Sequence, residues 1–119
     1  MKTLNVEKIQ HHLRQFAQDR DWDQFHSVKN LAMALSVESA ELVEIFQWMK
    51  EDETNQLKND PKNLEKVKEE VSDVLLYLLR IADKLEIDLE PAVWAKLEKN
   101  ALKYPVEKSK GNSKKYDEI

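Results

Sequence analysis

Two carboxylate pairs, Glu38-Ser39-Ala40-Glu41 and Glu70-Val71-Ser72-Asp73, stand in the most apolar stretches of this 119-residue chain, 31–48 and 67–85. Each pair is spaced i, i+3, so on a helix its two side chains share one face. Burying ionised carboxylates is costly unless cations or hydrogen-bond donors compensate them. Four carboxylates from two adjacent helices form a hard, all-oxygen cage, the donor set that suits magnesium. The competing reading is a pair of solvated, charged helix faces, which is what most isolated Glu-x-x-Glu pairs are.

The elements that would position these groups follow from apolar periodicity. A first helix is expected over about 5–20, with Val6, Ile9, Leu13 and Phe16 as its stripe. Residues 21–26 break the period and read as a connection rich in aromatic and polar groups. Ser27 is a plausible N-cap for a second helix, whose stripe runs Leu31, Leu35, Glu38, Leu42, Ile45, Met49. Glu38 thus fills a slot that packing alone would give to leucine. Residues 50–60 read as a surface loop. Asp60-Pro61 is a strong helix start, with Asp as cap and Pro at the first helical position. The third helix carries Leu64, Val67, Val71, Val74, Leu78, Ile81 and Leu85, and its segment 74–79 is apolar almost all round. Such a helix needs burial on more than one side, so a subunit interface is expected. Asp88 can cap a fourth helix reaching about Lys103, with Val93, Leu97 and Ala101 inward. From Pro105 the chain is lysine-rich and without apolar period, a tail expected to be mobile or loosely docked.

Folding the second and third helices into an antiparallel hairpin about residue 56 sets Glu41 level with Val71 and Glu38 level with Val74. The two acidic pairs then meet across the interface because they are equidistant from the turn. Glu44 lies close enough to assist, whereas Glu65 and Glu69 read as surface charges. Other metal chemistries fit poorly. No glutamate is followed by His three residues on, as a di-iron bundle requires, and His11 and His12 are adjacent and splay apart. Cysteine is absent, which removes disulfides, thiolate metal sites and cysteine nucleophiles.

The formal charge is −4, and the 35% of residues that are charged mix both signs. That balance gives no argument for nucleic acid or membrane as a partner. No apolar run approaches the roughly 18 residues of a membrane span, so a soluble, cytoplasmic protein is expected. The single glycine, Gly111, excludes a P-loop and a Rossmann fingerprint, which need several. Any phosphate must then be held by metal and side chains. One glycine and three prolines also point to an all-α fold, four-helix-bundle-like.

At these residues the chain resembles the MazG-like all-α nucleoside triphosphate pyrophosphohydrolases, and among them the dCTP pyrophosphatase group. The family pattern is ExxE, a gap, then ExxD, matched here by Glu38, Glu41, Glu70 and Asp73 with 28 residues between the pairs. Flanking matches raise its specificity: Arg20-Asp-Trp-Asp-Gln-Phe-His26, Lys29-Asn-Leu31, Phe46-Gln-Trp48, Glu69-Glu-Val-Ser-Asp-Val-Leu75, and Lys96, Asn100 and Lys103-Tyr104-Pro105. Lys103 departs from relatives that often carry arginine there, which would weaken a bidentate phosphate contact. The resemblance implies hydrolysis of a nucleoside triphosphate to monophosphate and pyrophosphate, with Mg²⁺ on the four carboxylates. One glutamate would act through water as general base.

Trp48 lies seven residues after Glu41, about 10 Å along a continuing helix, and Tyr77 one turn beyond Asp73. Aromatics so placed suit a nucleotide base. In an antiparallel hairpin they run towards opposite ends, so either one is core or another subunit completes the pocket. By resemblance Trp22 and His26 help recognise a pyrimidine; on the residues alone they read as a plug over the helix corner and a helix-terminal polar group. Lys96, Asn100 and Lys103 follow helical spacing towards phosphates, with Tyr104 at the same edge, again chiefly by resemblance.

The expectation is therefore a MazG-type helical domain over 1–104 with a tail over 105–119, a homodimer or homotetramer. It would be a Mg²⁺-dependent pyrophosphohydrolase preferring dCTP or a modified dCTP, serving nucleotide-pool sanitation. Two alternatives stand beside it: the same chemistry on dUTP or a broad dNTP set, and a non-catalytic helical interaction module.

Overall fold

The computed structural model describes residues 2–118, which fold into α1 (Val6–Asp19), α2 (Val28–Phe46), α3 (Glu51–Asn55), α4 (Pro61–Lys84), α5 (Leu89–Lys103) and α6 (Val106–Ser109). Short 3-10 turns occupy Asp23–Phe25, Leu57–Asn59 and Tyr116–Glu118, and no strand occurs among the described residues. The four long helices are those the periodicity predicts. One compact unit runs to Glu86 and a second begins at Ile87.

Local chemistry sets the helix starts. Asn5 Oδ1 accepts from the Lys8 amide at 3.0 Å, and Ser27 Oγ accepts from Asn30 at 3.1 Å. Asp60 takes the Asn63 amide and, at 2.7 Å, its side-chain amide, with Pro61 leading the helix. Each such cap contributes about 1 kcal/mol. Asp88 stands at the α5 cap position in extended conformation, but its side chain makes no capping bond.

The end of α1 is a Schellman motif. The Trp22 amide reaches the Ala17 carbonyl (2.8 Å) and the Asp21 amide reaches Gln18 (3.1 Å), with Asp21 in the left-handed region at φ 53°. The chain therefore reverses sharply without glycine and delivers Trp22, Asp23 and His26 beside α4. The one glycine serves elsewhere. Lys110 and Gly111 (φ 81°) form the centre of a type II turn closed by the Asn112 amide on Ser109.

In the first unit α2 and α4 form the principal interface, and α1 also packs on α4. The start of α2 meets the end of α4, and Glu41 and Ile45 share a cleft with Asn63 and Glu70, so the pair is antiparallel. Along α2 the expected stripe is inward: Leu31 is buried, and Leu35, Glu38, Leu42 and Ile45 are half-buried. Leu31 and Leu79 are the largest fully buried side chains, each contributing roughly 1.5–3 kcal/mol by transfer from water.

Four expectations need correction. Helix α2 ends at Phe46 instead of continuing to Met49. The expected loop 50–60 contains α3 and a 3-10 turn, whose Leu57 is buried. On α1, Phe16 is exposed and Ala17 takes the core position, because Phe16 turns to meet Trp22 edge-on at 5.7 Å and carries the Arg20 guanidinium at 3.6 Å. On α4 the predicted stripe splits: Val71, Leu78 and Leu85, seven residues apart, are exposed, while Val67, Val74 and Ile81 turn inward.

Candidate active site

The antiparallel pairing of α2 and α4 brings Glu38, Glu41 and Glu70 together, with one carboxylate oxygen from each lying within 4.8 Å of the others. Asp73 stands outside this trio, yet its charge is felt by both Glu38 and Glu70. The equal distance of the pairs from the turn thus predicts the meeting correctly, and the closest approach is among the three glutamates.

The electrostatics of the cluster are those of a site built for a cation. Burial is the largest influence on Glu38, followed by the adjoining Glu41 carboxyl, the Asp73 charge and Glu70. Together they push its pKa up to about 7. Glu70 is also raised, first by burial and then by the Glu41 charge. Oε2 of Glu38 and Oε2 of Glu70 are buried without a hydrogen-bond partner among the described residues. Buried polar atoms normally find partners. Two orphaned carboxylate oxygens in an oxygen-only donor set fit a hard divalent cation such as magnesium.

Beside the trio lies a cleft of about 540 Å³ lined by Glu41, Glu44, Ile45, Asn63, Lys66, Glu69 and Glu70. Glu44 lines the cleft. Glu69, read from the sequence as a surface charge, faces the cleft, and Asn63 and Lys66 were missed. The signal was present: the hairpin pivot that pairs Glu41 with Val71 also sets Lys66 opposite Phe46, one to two turns closer to the loop. Glu65 behaves as a surface charge, pairing with Lys68 at 3.8 Å.

Tyr77, one turn beyond Asp73, is half-buried, and its hydroxyl pKa is raised first by burial and then by the charges of Glu38, Asp73 and Glu41. It therefore borders the cluster. Trp48 does not extend the Glu41 face, because α2 stops two residues before it; its side chain is 87% exposed. Trp22 and His26 are brought together by the Schellman turn with ring centroids 6.4 Å apart. His26 is half-buried, its Nδ1 is buried without a partner among the described residues, and burial followed by the charges of Arg80 and Lys84 lowers its pKa, favouring the neutral imidazole. In the second unit Lys96, Asn100 and Lys103 lie on α5, and Tyr104 is its C-terminal cap.

A charge network that the sequence reading missed holds this turn. Arg80 Nη2 donates to Asp23 Oδ1 at 2.6 Å, Lys84 Nζ reaches the same oxygen at 3.0 Å, and Asp83 joins Arg80 (3.6 Å) to Arg14 (3.5 Å). Its signal was the arginine interrupting an otherwise apolar run, Val74 to Ala82.

Fold and cluster together define an all-helical protein built around a carboxylate centre suited to a hard cation. Residues 33–119 match the MazG-like family. Mouse dCTP pyrophosphatase 1 is 40% identical over 114 residues, covering 96% of this chain and 67% of the mouse protein. The human protein of the same name is 39% identical with the same coverage. A crystal structure of a pyrophosphatase from Archaeoglobus fulgidus superimposes with a TM-score of 0.77 at 42% identity, covering 88% of this chain and 96% of the archaeal one. The chain belongs to the MazG-like family, and it is a hydrolase.

Proposed function

We propose that this enzyme is a Mg²⁺-dependent nucleoside triphosphate pyrophosphohydrolase that converts a deoxynucleoside triphosphate, preferably dCTP or a modified dCTP, to the monophosphate and pyrophosphate. The observation that carries the reading is the Glu38, Glu41, Glu70 trio with its two unpartnered buried oxygens. The similarity to dCTP pyrophosphatases supports the substrate class.

In this reading Glu38, Glu41, Glu70 and Asp73 hold the cation. Magnesium would supply charge neutralisation of the triphosphate and polarisation of its oxygens. One glutamate of the cluster takes a proton from a water in its reach. Lys66 in the cleft supplies a phosphate contact. Trp22, His26 and Tyr77 supply the base side, where a neutral His26 donates or accepts through one ring nitrogen at a pyrimidine edge. Sanitation of the cytoplasmic nucleotide pool is the matching role.

A panel of dNTPs, NTPs and 5-substituted dCTPs with Mg²⁺, its products resolved by chromatography, tests the substrate. Monophosphate with intact pyrophosphate, fastest from dCTP analogues and lost in EDTA, is expected. Faster turnover of dUTP or an even spread over bases would keep the chemistry and remove the base assignment. No turnover of any nucleotide would leave the interaction-module reading.

The assembly is a homodimer or homotetramer, with the exposed seven-residue stripe Val71, Leu78, Leu85 on α4 covered by a second copy. Three large exposed apolar residues aligned on one helix face support this reading. A second subunit would also give exposed Trp48 a site to complete. Light scattering on the eluting peak of a sizing column should give a multiple of the 14.0 kDa chain; a monomer at micromolar concentration sinks this assignment.

A further inference from the structure

Arg80 is 6% exposed, and its guanidinium is occupied by Asp23 at 2.6 Å and Asp83 at 3.6 Å, while its Nε is buried with no partner among the described residues. It is thus closed off from solvent and cannot serve as a phosphate clamp. Nor is stability a sufficient reason for it. Taking the Arg80 guanidinium out of water costs about what an ion pair with a half-exposed carboxylate returns, and an unmatched buried N–H adds a cost. What the pair does achieve is geometric. Asp23 opens the 3-10 turn Asp23–Phe25, preceded by Trp22 and followed by His26. Phe16 grips Trp22 from α1, and Arg80, with Lys84, grips Asp23 from α4. On α4 the steps from Asp73 to Tyr77, Arg80 and Lys84 are four, three and four, so the carboxylate cluster and this latch lie along one helix face.

We infer that Arg80 is a positioning residue that, through Asp23, fixes the Trp22–His26 wall in register with the carboxylate cluster and so sets the affinity for the substrate's base. The inference rests on the nucleotide reading above. Arg80 touches neither base nor phosphate and acts through the turn. The Arg80 charge also adds, after burial, to the lowering of the His26 pKa.

Arg80→Met is the informative change. It strands no buried charge, because Asp23 is largely exposed and keeps Lys84, and Asp83 keeps Arg14. Three measurements go together: steady-state kinetics on dCTP with Mg²⁺, the melting temperature, and amide exchange over residues 21–27. Arg80→Met should raise KM roughly tenfold with kcat within about twofold, accelerate exchange over 21–27 and leave the melting temperature unchanged or higher. Arg80→Lys should recover most of the KM. Unchanged KM, or a fall in kcat tracking a fall in melting temperature, overturns the positioning role. If the wild type turns over no nucleotide, the substrate reading fails by itself. The exchange then decides the latch: faster exchange at constant melting temperature supports it, and unchanged exchange removes it.

Discussion

Glu38→Gln should abolish turnover, by roughly 10³-fold or more, about 4 kcal/mol of transition-state stabilisation, while leaving the fold intact or more stable. Glutamine keeps the shape of glutamate and removes its charge. In the metal-free protein that charge is a liability: Glu38 is half-buried against Glu41, Glu70 and Asp73, and Oε2 has no donor among the described residues. Removing it relieves repulsion, so the melting temperature without metal should hold or rise. With the ligand gone, added Mg²⁺ should no longer raise it. The combination separates a metal-dependent enzyme from a structural carboxylate cluster. A Glu38→Gln protein that unfolds, in a protein whose wild type ignores metal, would contradict the site. A variant that folds and still turns over nucleotide would contradict the role of Glu38.

The parts of the molecule that were legible in the sequence share one property, periodicity on a single chain segment. The four long helices, the caps at Ser27 and Asp60 and the inward stripe of α2 all follow from local spacing, and Glu38 was visible because it breaks an apolar pattern. The meeting of Glu38 and Glu41 with Glu70 was legible one level higher, from counting outward from a turn. Arg80 was not, because its partner Asp23 is 57 residues away in a turn set by a Schellman motif that has aspartate where glycine is usual. The end of α2 was misjudged for a related reason. Gln47, Trp48 and Met49 continue the helical spacing, but the chain turns at Lys50, which is extended before α3 (φ −80°, ψ 158°). Trp48 consequently lost its expected place on the Glu41 face. The α4 stripe shows a limit of another kind, since apolar spacing does not tell which of its residues turn into the chain's own core.

Metal binding should make the stability of this protein depend on pH in a defined direction. Glu38 has an ordinary pKa near 4.5 when the chain is unfolded and about 7 when it is folded without metal. Between these values the folded state binds more protons than the unfolded state, so stability falls as pH rises through the window and levels off above about pH 7. Glu70 is shifted the same way and adds to the slope. Magnesium competes with those protons. Its affinity for the ionised cluster should therefore climb with pH up to about 7, and stabilisation at a hundredfold excess over Kd is about 2.7 kcal/mol. Melting temperatures from pH 5 to 8, with saturating Mg²⁺ and with EDTA, would measure both effects. The gap between the two curves should be small at pH 5, widen to pH 7 and then stay constant, and it should vanish in Glu38→Gln. A gap independent of pH would mean that the cation binds groups ionised throughout, and that the cluster of Glu38, Glu41 and Glu70 is not where it goes.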